Sequence, residues 1–207
     1  MSCEHELNLD FAKVGQAVPE FKMETFDPAE GFFGEVDLGQ LRRDGKWVIL
    51  FFYPADFTFV CPTELADLAE KHQALKDLGA EVISVSTDTK FSHMAWRREE
   101  KLLENVQYTM AADPTGEVSR FFDVYDEETG LALRGTFVIN PEGVLASSEI
   151  NFYNVGRNAD ELVRKLEANV HLRANPNEVC PAKWTPGEKT LTPGEGMVGH
   201  VWEALNG

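Results

Sequence analysis

Cysteine is scarce in this chain of 207 residues, which carries only Cys3, Cys61 and Cys180. An odd number of widely spaced cysteines excludes the disulfide framework of a small secreted domain, and no Cys-x-x-Cys pair suggests structural zinc. None of the five histidines lies three or four residues from another, so a helical two-histidine metal site is not expected. Basic residues are also in short supply. Nineteen Lys and Arg against 35 Asp and Glu leave a formal charge of −16, which repels phosphate backbones and anionic lipid. Neither nucleic acid nor membrane is an expected partner. The longest apolar run, Trp47 to Tyr53, is seven residues, where a spanning helix requires roughly 20. The chain starts Met-Ser-Cys-Glu-His-Glu, acidic where a secretory signal is basic and then apolar. The expected location is the cytoplasm.

Hydrophobic residues make up 43% of the chain, enough for one sizeable core. Residues 1–45 show weak periodicity with scattered Gly and Pro, compatible with short strands or a hairpin. Lys46 to Tyr53 is a continuous apolar run bounded by Asp44-Gly45 and Pro54, the pattern of a strand buried on both faces. A helix is predicted from Cys61 to Leu78, with Cys61, Leu65, Leu68, His72 and Leu75 on one stripe and Gly79 ending it. Strands follow at 81–87 and 107–112, and helices at 89–103 and 115–122. Thr136–Asn140 and Val144–Ile150 flank the turn Pro141-Glu142-Gly143, and a helix covers 158–172. Strands alternating with helices, then a hairpin and a helix, describe an α/β layered sheet with some antiparallel pairing. From residue 181 onward eight of 27 residues are Gly or Pro, which reads as an extended, loop-rich arm.

The chemistry concentrates where the apolar strand meets the next helix, in Tyr53-Pro54-Ala55-Asp56-Phe57-Thr58-Phe59-Val60-Cys61-Pro62-Thr63-Glu64-Leu65. Such strand-to-helix junctions are where α/β proteins place their sites. Pro62 fits only the first turn of a helix, so Cys61 falls at the helix N-terminus, where free N–H groups and the macrodipole favour negative charge. Helix N-termini and nearby cations lower a thiol's pKa from about 8.5, whereas burial raises it. A reactive Cys61 therefore requires a cation beside it. Thr58 is expected to place its hydroxyl beside the sulfur, with Pro54 and Pro62 stiffening the loop. The competing reading is inert packing, since a lone cysteine on an apolar helical stripe is commonly just core. Cys180, in Glu178-Val179-Cys180-Pro181-Ala182-Lys183-Trp184 at the start of a mobile arm, tips the balance towards redox chemistry. Cys3 reads as an incidental thiol.

These residues resemble the peroxiredoxins, specifically the typical two-cysteine subgroup and its bacterial alkyl hydroperoxide reductase C branch. The Pro-x-x-x-Thr-x-x-Cys motif stands as Pro54, Thr58 and Cys61, and a Val-Cys-Pro-Ala context surrounds Cys180; the likeness runs from about residue 10 to 190. The resemblance implies a thioredoxin-like fold, with a peroxidase domain over 1–172 and a C-terminal arm over 173–207. It implies thiol-based reduction of hydrogen peroxide and organic hydroperoxides, with no cofactor or metal in this chain. Cys61 would be the peroxidatic cysteine and Cys180 the resolving one, forming a disulfide between subunits of a dimer; rings of five dimers are implied as well. Arg134 matches the family's active-site arginine and supplies the cation. Glu64 matches the glutamate paired with it, and Arg157 a second, supporting arginine. Glu64 also suits any helix start, and Arg157 any surface site before a helix. The reductant is left open between a flavoprotein disulfide reductase and a thioredoxin. The Gly-Gly-Leu-Gly insertion and C-terminal Tyr-Phe motif of overoxidation-sensitive members are missing, which implies relative resistance to sulfinic acid formation. A redox-regulated, ring-forming chaperone-like or peroxide-sensing scaffold is the alternative function. Gly194-Glu195-Gly196-Met197-Val198-Gly199 spells a dinucleotide fingerprint but follows no strand and is discounted. Phe57 and Phe59 are candidates for a substrate entrance or a contact between dimers.

Overall fold

A computed structural model describes residues 11–206; Cys3 lies outside them. The central sheet is built around strand β3 (Trp47–Phe52), all six residues of which are buried. Because side chains alternate across a strand, Trp47, Ile49 and Phe51 join one core, while Val48, Leu50 and Phe52 join the other. A run that is apolar at every position is what such a two-faced burial demands.

The chain enters through the hairpin β1 (Lys22–Asp27) and β2 (Phe32–Asp37), continues into the short helix α1 (Leu38–Arg43), and then into β3. Helix α2 (Cys61–Asp77) leads to β4 (Ala80–Ser86), α3 (Lys90–Glu99), β5 (Thr109–Ala112) and α4 (Glu117–Phe121). A small hairpin, β6 (Tyr125–Asp126) and β7 (Leu131–Ala132), precedes β8 (Arg134–Ile139), β9 (Leu145–Asn151) and α5 (Ala159–Ala174). The seven-stranded sheet has the order β2-β1-β5-β4-β3-β8-β9. Its centre, β5-β4-β3, is parallel, and the outer pairs are antiparallel. Leu65, Leu68 and Leu75 of α2 pack with Leu162 and Leu166 of α5 over one face. The central mixed sheet flanked by helices is the architecture expected.

The differences from expectation have local causes. The helix predicted over 89–103 stops at Glu99, because Glu100 turns to extended backbone and its side chain accepts from the Leu102 N–H, starting a separate 3-10 turn at Lys101–Leu103. Strand β8 begins at Arg134, two residues ahead of the predicted start, and this brings Arg134 into the buried part of the sheet. Helix α5 continues to Ala174, two residues past the expected boundary between domain and arm.

The arm also needs correction. Its first half is tied down rather than mobile: Val179 and Leu191 exchange backbone hydrogen bonds of 2.8 and 3.1 Å, and Trp184 is buried. The Trp184 ring packs on His171 at 4.9 Å between centroids, and its carbonyl accepts from Arg164 of α5 at 3.1 Å. Farther on, a 3-10 turn (Glu195–Met197) and a short helix α6 (Val201–Asn206) punctuate the loop-rich arm. No helix among the described residues is long and apolar enough to cross a membrane.

Candidate active site

Cys61 is the first residue of α2 and is fully buried. Pro62 follows in the first turn, where a residue without an N–H loses nothing. The turn is closed by Thr63 and Glu64, whose N–H groups donate to the Val60 carbonyl at 3.0 and 3.2 Å. Among the described residues the Cys61 N–H makes no hydrogen bond, so a donor of the kind that favours anions stands free at the sulfur's own residue.

The cation required beside a reactive thiol is present. Arg134 projects from the start of β8, and its guanidinium donates to Cys61 Sγ at 3.4 Å and to Glu64 Oε2 at 2.5 Å. The Tyr153 carbonyl accepts from Arg134 Nε at 2.8 Å and fixes the plane of the guanidinium. Glu64 in turn binds Arg157 through Nε at 2.8 Å, a terminal nitrogen at 3.2 Å and the backbone N–H at 2.9 Å. Arg157 is no surface charge: its side chain is 3% exposed, its guanidinium lies 3.4 Å from the centre of the Phe51 ring, and it donates to Gly135 O and Thr136 Oγ1. Burial pulls its pKa below the ordinary arginine value, and Glu64 pushes it back up. Two guanidiniums and one carboxylate sum to one positive charge in a water-poor pocket. A negative sulfur at Cys61 would balance that charge.

Thr58 departs from expectation. Its hydroxyl donates to the Ala55 carbonyl at 2.7 Å, and no hydrogen bond joins it to the sulfur. The hydroxyl proton is held by the loop's own turn, which leaves the oxygen lone pairs as the free part of the group. Pro54 is buried at the start of this loop, as a stiffening role requires. Phe57 and Phe59 are 57% and 93% exposed.

Cys180 does not meet Cys61 within one chain. Both are free thiols, Cys61 buried and Cys180 half-buried. Burial pushes the Cys180 thiol up, Glu178 pushes it the same way, and Arg164 opposes them. Several supporting residues escaped sequence reasoning. Tyr153 acts through its carbonyl, which no residue type announces. At Gly135 a Cβ would come within 2.7 Å of Phe137 and 2.8 Å of Val124, a constraint visible only in three dimensions. Asp67 reaches across from α2 to accept from the Ala159 N–H at the start of α5, at 2.8 Å.

The AhpC/TSA family model matches residues 14–148 of this sequence. The chain belongs to the AhpC/TSA family. A second model, the C-terminal domain of 1-Cys peroxiredoxin, matches residues 171–204, the segment that here contains Cys180 and Trp184. Alkyl hydroperoxide reductase C of Staphylococcus aureus is 48% identical over 188 residues, 91% of this chain and 98% of that protein. Among solved structures, AhpC of Enterococcus faecalis matches with a TM-score of 0.77 at 43% identity, covering 83% of this chain and all of that one. The reduced 2-Cys peroxiredoxin of Plasmodium vivax matches with a TM-score of 0.83 at 33% identity, covering 88% and 94% of the two chains. The thioredoxin-like fold expected from the resemblance is the fold of this AhpC/TSA-family chain.

Proposed function

We propose that this chain, a thiol-dependent peroxidase, works through Cys61 and Cys180 on hydrogen peroxide and organic hydroperoxides. The Cys61 thiolate attacks one peroxide oxygen; the O–O bond breaks, and the other oxygen leaves as hydroxide or alkoxide. Sulfur is oxidised to sulfenic acid and the peroxide is reduced. Arg134 and the Cys61 N–H bind the oxygens on which charge develops, with the Thr58 hydroxyl oxygen facing the proton of the bound peroxide. Glu64 and Arg157 hold Arg134 in place. Cys180 of a neighbouring subunit then attacks the sulfenic acid, giving a disulfide and water. The buried Cys61 must leave the first turn of α2 for this, since bridged Cα atoms lie about 4.4–6.8 Å apart. The chain's own groups suffice for these steps, so no cofactor or metal is assigned to it.

The single observation that carries this reading is the Arg134 guanidinium 3.4 Å from a buried sulfur at a helix start. A reductase of the flavoprotein or thioredoxin class restores the thiols, and the working assembly is a dimer gathered into decamers in the cytoplasm. Family membership does not favour the scaffold alternative. Steady-state peroxide consumption with a supplied reductase tests the proposal. Cys61→Ser should consume none, and Cys180→Ser should consume one equivalent and stall until a small thiol is added. Normal turnover by Cys180→Ser with the protein reductant would overturn the two-cysteine scheme.

A further inference from the structure

The mechanism above leaves unused a second set of buried ionisable groups at the start of the Cys61 loop. Tyr53 ends the buried strand run, Asp56 lies in the loop, and His93 sits on α3; all three are buried. Tyr53 Oη donates to Asp56 Oδ1 at 2.7 Å, and His93 Nδ1 lies 2.9 Å from Asp56 Oδ2. His93 Nε2 faces the Ala111 carbonyl of β5 at 3.1 Å; a carbonyl only accepts, so this nitrogen carries a proton. The Asp56 N–H donates to Asp88 Oδ2 at 2.8 Å, and Ser86 Oγ donates to the same oxygen at 2.8 Å. One loop residue is thereby fastened to Tyr53 just past β3, through Asp88 to Ser86 at the end of β4, and through His93 to α3 and β5.

The next residue is strained. Phe57 has a φ of +55° in the left-handed region, which bulky residues adopt only when their surroundings over-determine them. Beyond it, the hydrogen bonds that Thr58 and Val60 make are short-range turn bonds. Buried polar groups deprived of their partners are costly, so drawing Asp56 away from Tyr53 and His93 is opposed by this cluster. Unwinding that runs from Cys61 back past the strained Phe57 would have to break these bonds, which the wound loop keeps intact.

We infer that Tyr53, Asp56 and His93 are positioning residues that pin the Cys61 loop in its wound, peroxide-reactive form against the unwound form from which the disulfide is made. This rests on the proposed reading of Cys61 and Cys180. Two fates compete for the Cys61 sulfenic acid. In the wound loop its sulfenate attacks a second peroxide, whose O–O bond breaks; the sulfur becomes sulfinate, and the peroxide leaves as water or an alcohol. In the unwound loop the Cys180 thiol displaces hydroxide from the sulfenic acid, forming the S–S bond and water. The strength of the pin sets the ratio of these products.

The full-length protein, reduced and then mixed with graded peroxide, is quenched and its sulfinate and disulfide are counted by intact mass. In Asp56→Asn and His93→Asn the sulfinate-to-disulfide ratio should fall about tenfold, the size expected for one lost charge-assisted hydrogen bond, and sulfenate should form more slowly. Tyr53→Phe, which removes only a hydroxyl and keeps the ring, should shift the ratio the same way by less, and it serves if the other variants fail to fold. A lowered thermal midpoint with an unchanged or raised ratio would mean that the cluster merely stabilises the fold, and the inference would be overturned. Wild-type protein yielding neither product at Cys61 would instead overturn the peroxidase scheme itself.

Discussion

The two cysteines occupy opposite kinds of surroundings. Around Cys61 every polar partner is buried and multiply bonded: Arg134 has three acceptors, and Glu64 binds two arginines and a backbone N–H. Around Cys180 the contacts are few and half-exposed, a two-bond bridge between Val179 and Leu191 and the pairing of Glu178 with His171 and Thr190. The first arrangement is preorganised to stabilise charge at fixed points, which is how a site accelerates a chemical step. The second is anchored through the buried Trp184 but holds its cysteine by fewer and more exposed bonds, so less has to break for that thiol to move. On the proposed scheme, one thiol reacts in place and the other meets a distant partner, and the two arrangements suit those two tasks.

The largest blow to this contrast should come from Arg134→Ala. Loss of a preorganised donor to developing oxyanion charge typically costs about 10²–10³ in rate. Glu64 keeps Arg157 as its partner, so the remaining buried pair is neutral and the variant should fold. The rate of Cys61 oxidation in a competition assay should therefore fall by about 10²–10³ with only a modest change in thermal midpoint. Arg134→Lys should lie between, because a point charge replaces a fork that divides itself between sulfur, carboxylate and carbonyl. A rate within a few-fold of wild type in Arg134→Ala would remove the electrostatic basis of the site.

Trp184→Ala attacks the other region. Trp184 is the buried anchor of the arm, and its indole N–H donates to the Glu188 carbonyl at 3.0 Å. Its truncation should free residues 176–191 locally rather than unfold the domain, because the sheet and both cores lie elsewhere. Amide exchange at Val179 and Leu191 should speed up by about tenfold or more, while the first oxidation of Cys61 stays within about twofold of wild type. If Cys61 oxidation slowed in parallel, the two regions would be one cooperative unit.

How much of this could be read from the residues alone follows the same divide. The Cys61 region was largely legible, because a two-faced apolar strand, a proline in a first turn and a cysteine at the helix start are local patterns with local causes. Arg134 was reached only through family resemblance, since the contact spans 73 positions in sequence and no periodicity encodes it. The Tyr53, Asp56 and His93 cluster was missed: each residue looks ordinary in its own segment, and only the parallel sheet brings 53, 56 and 93 together. The arm misled in the other direction. Its Gly and Pro content reads as loose chain, but Trp184 and the Val179–Leu191 pairing fold the first half back onto α5, and tertiary packing overrides composition there.

The smallest expected effect concerns charge at Cys180. Burial raises its thiol pKa, Glu178 adds to the rise, and Arg164 works against it. Only the thiolate attacks, so the disulfide-forming step should quicken as pH rises through a value above that of an ordinary thiol. Glu178→Gln removes the anion but leaves the burial, so the profile should move to lower pH without reaching the unperturbed position. Arg164→Gln should move it the opposite way. Both displacements should shrink in high salt, because these groups are partly exposed and screened. Stopped-flow measurement of disulfide formation across pH reads all four expectations. Profiles for Glu178→Gln and Arg164→Gln that moved in the same direction would show that arm packing, and not charge, governs the second thiol.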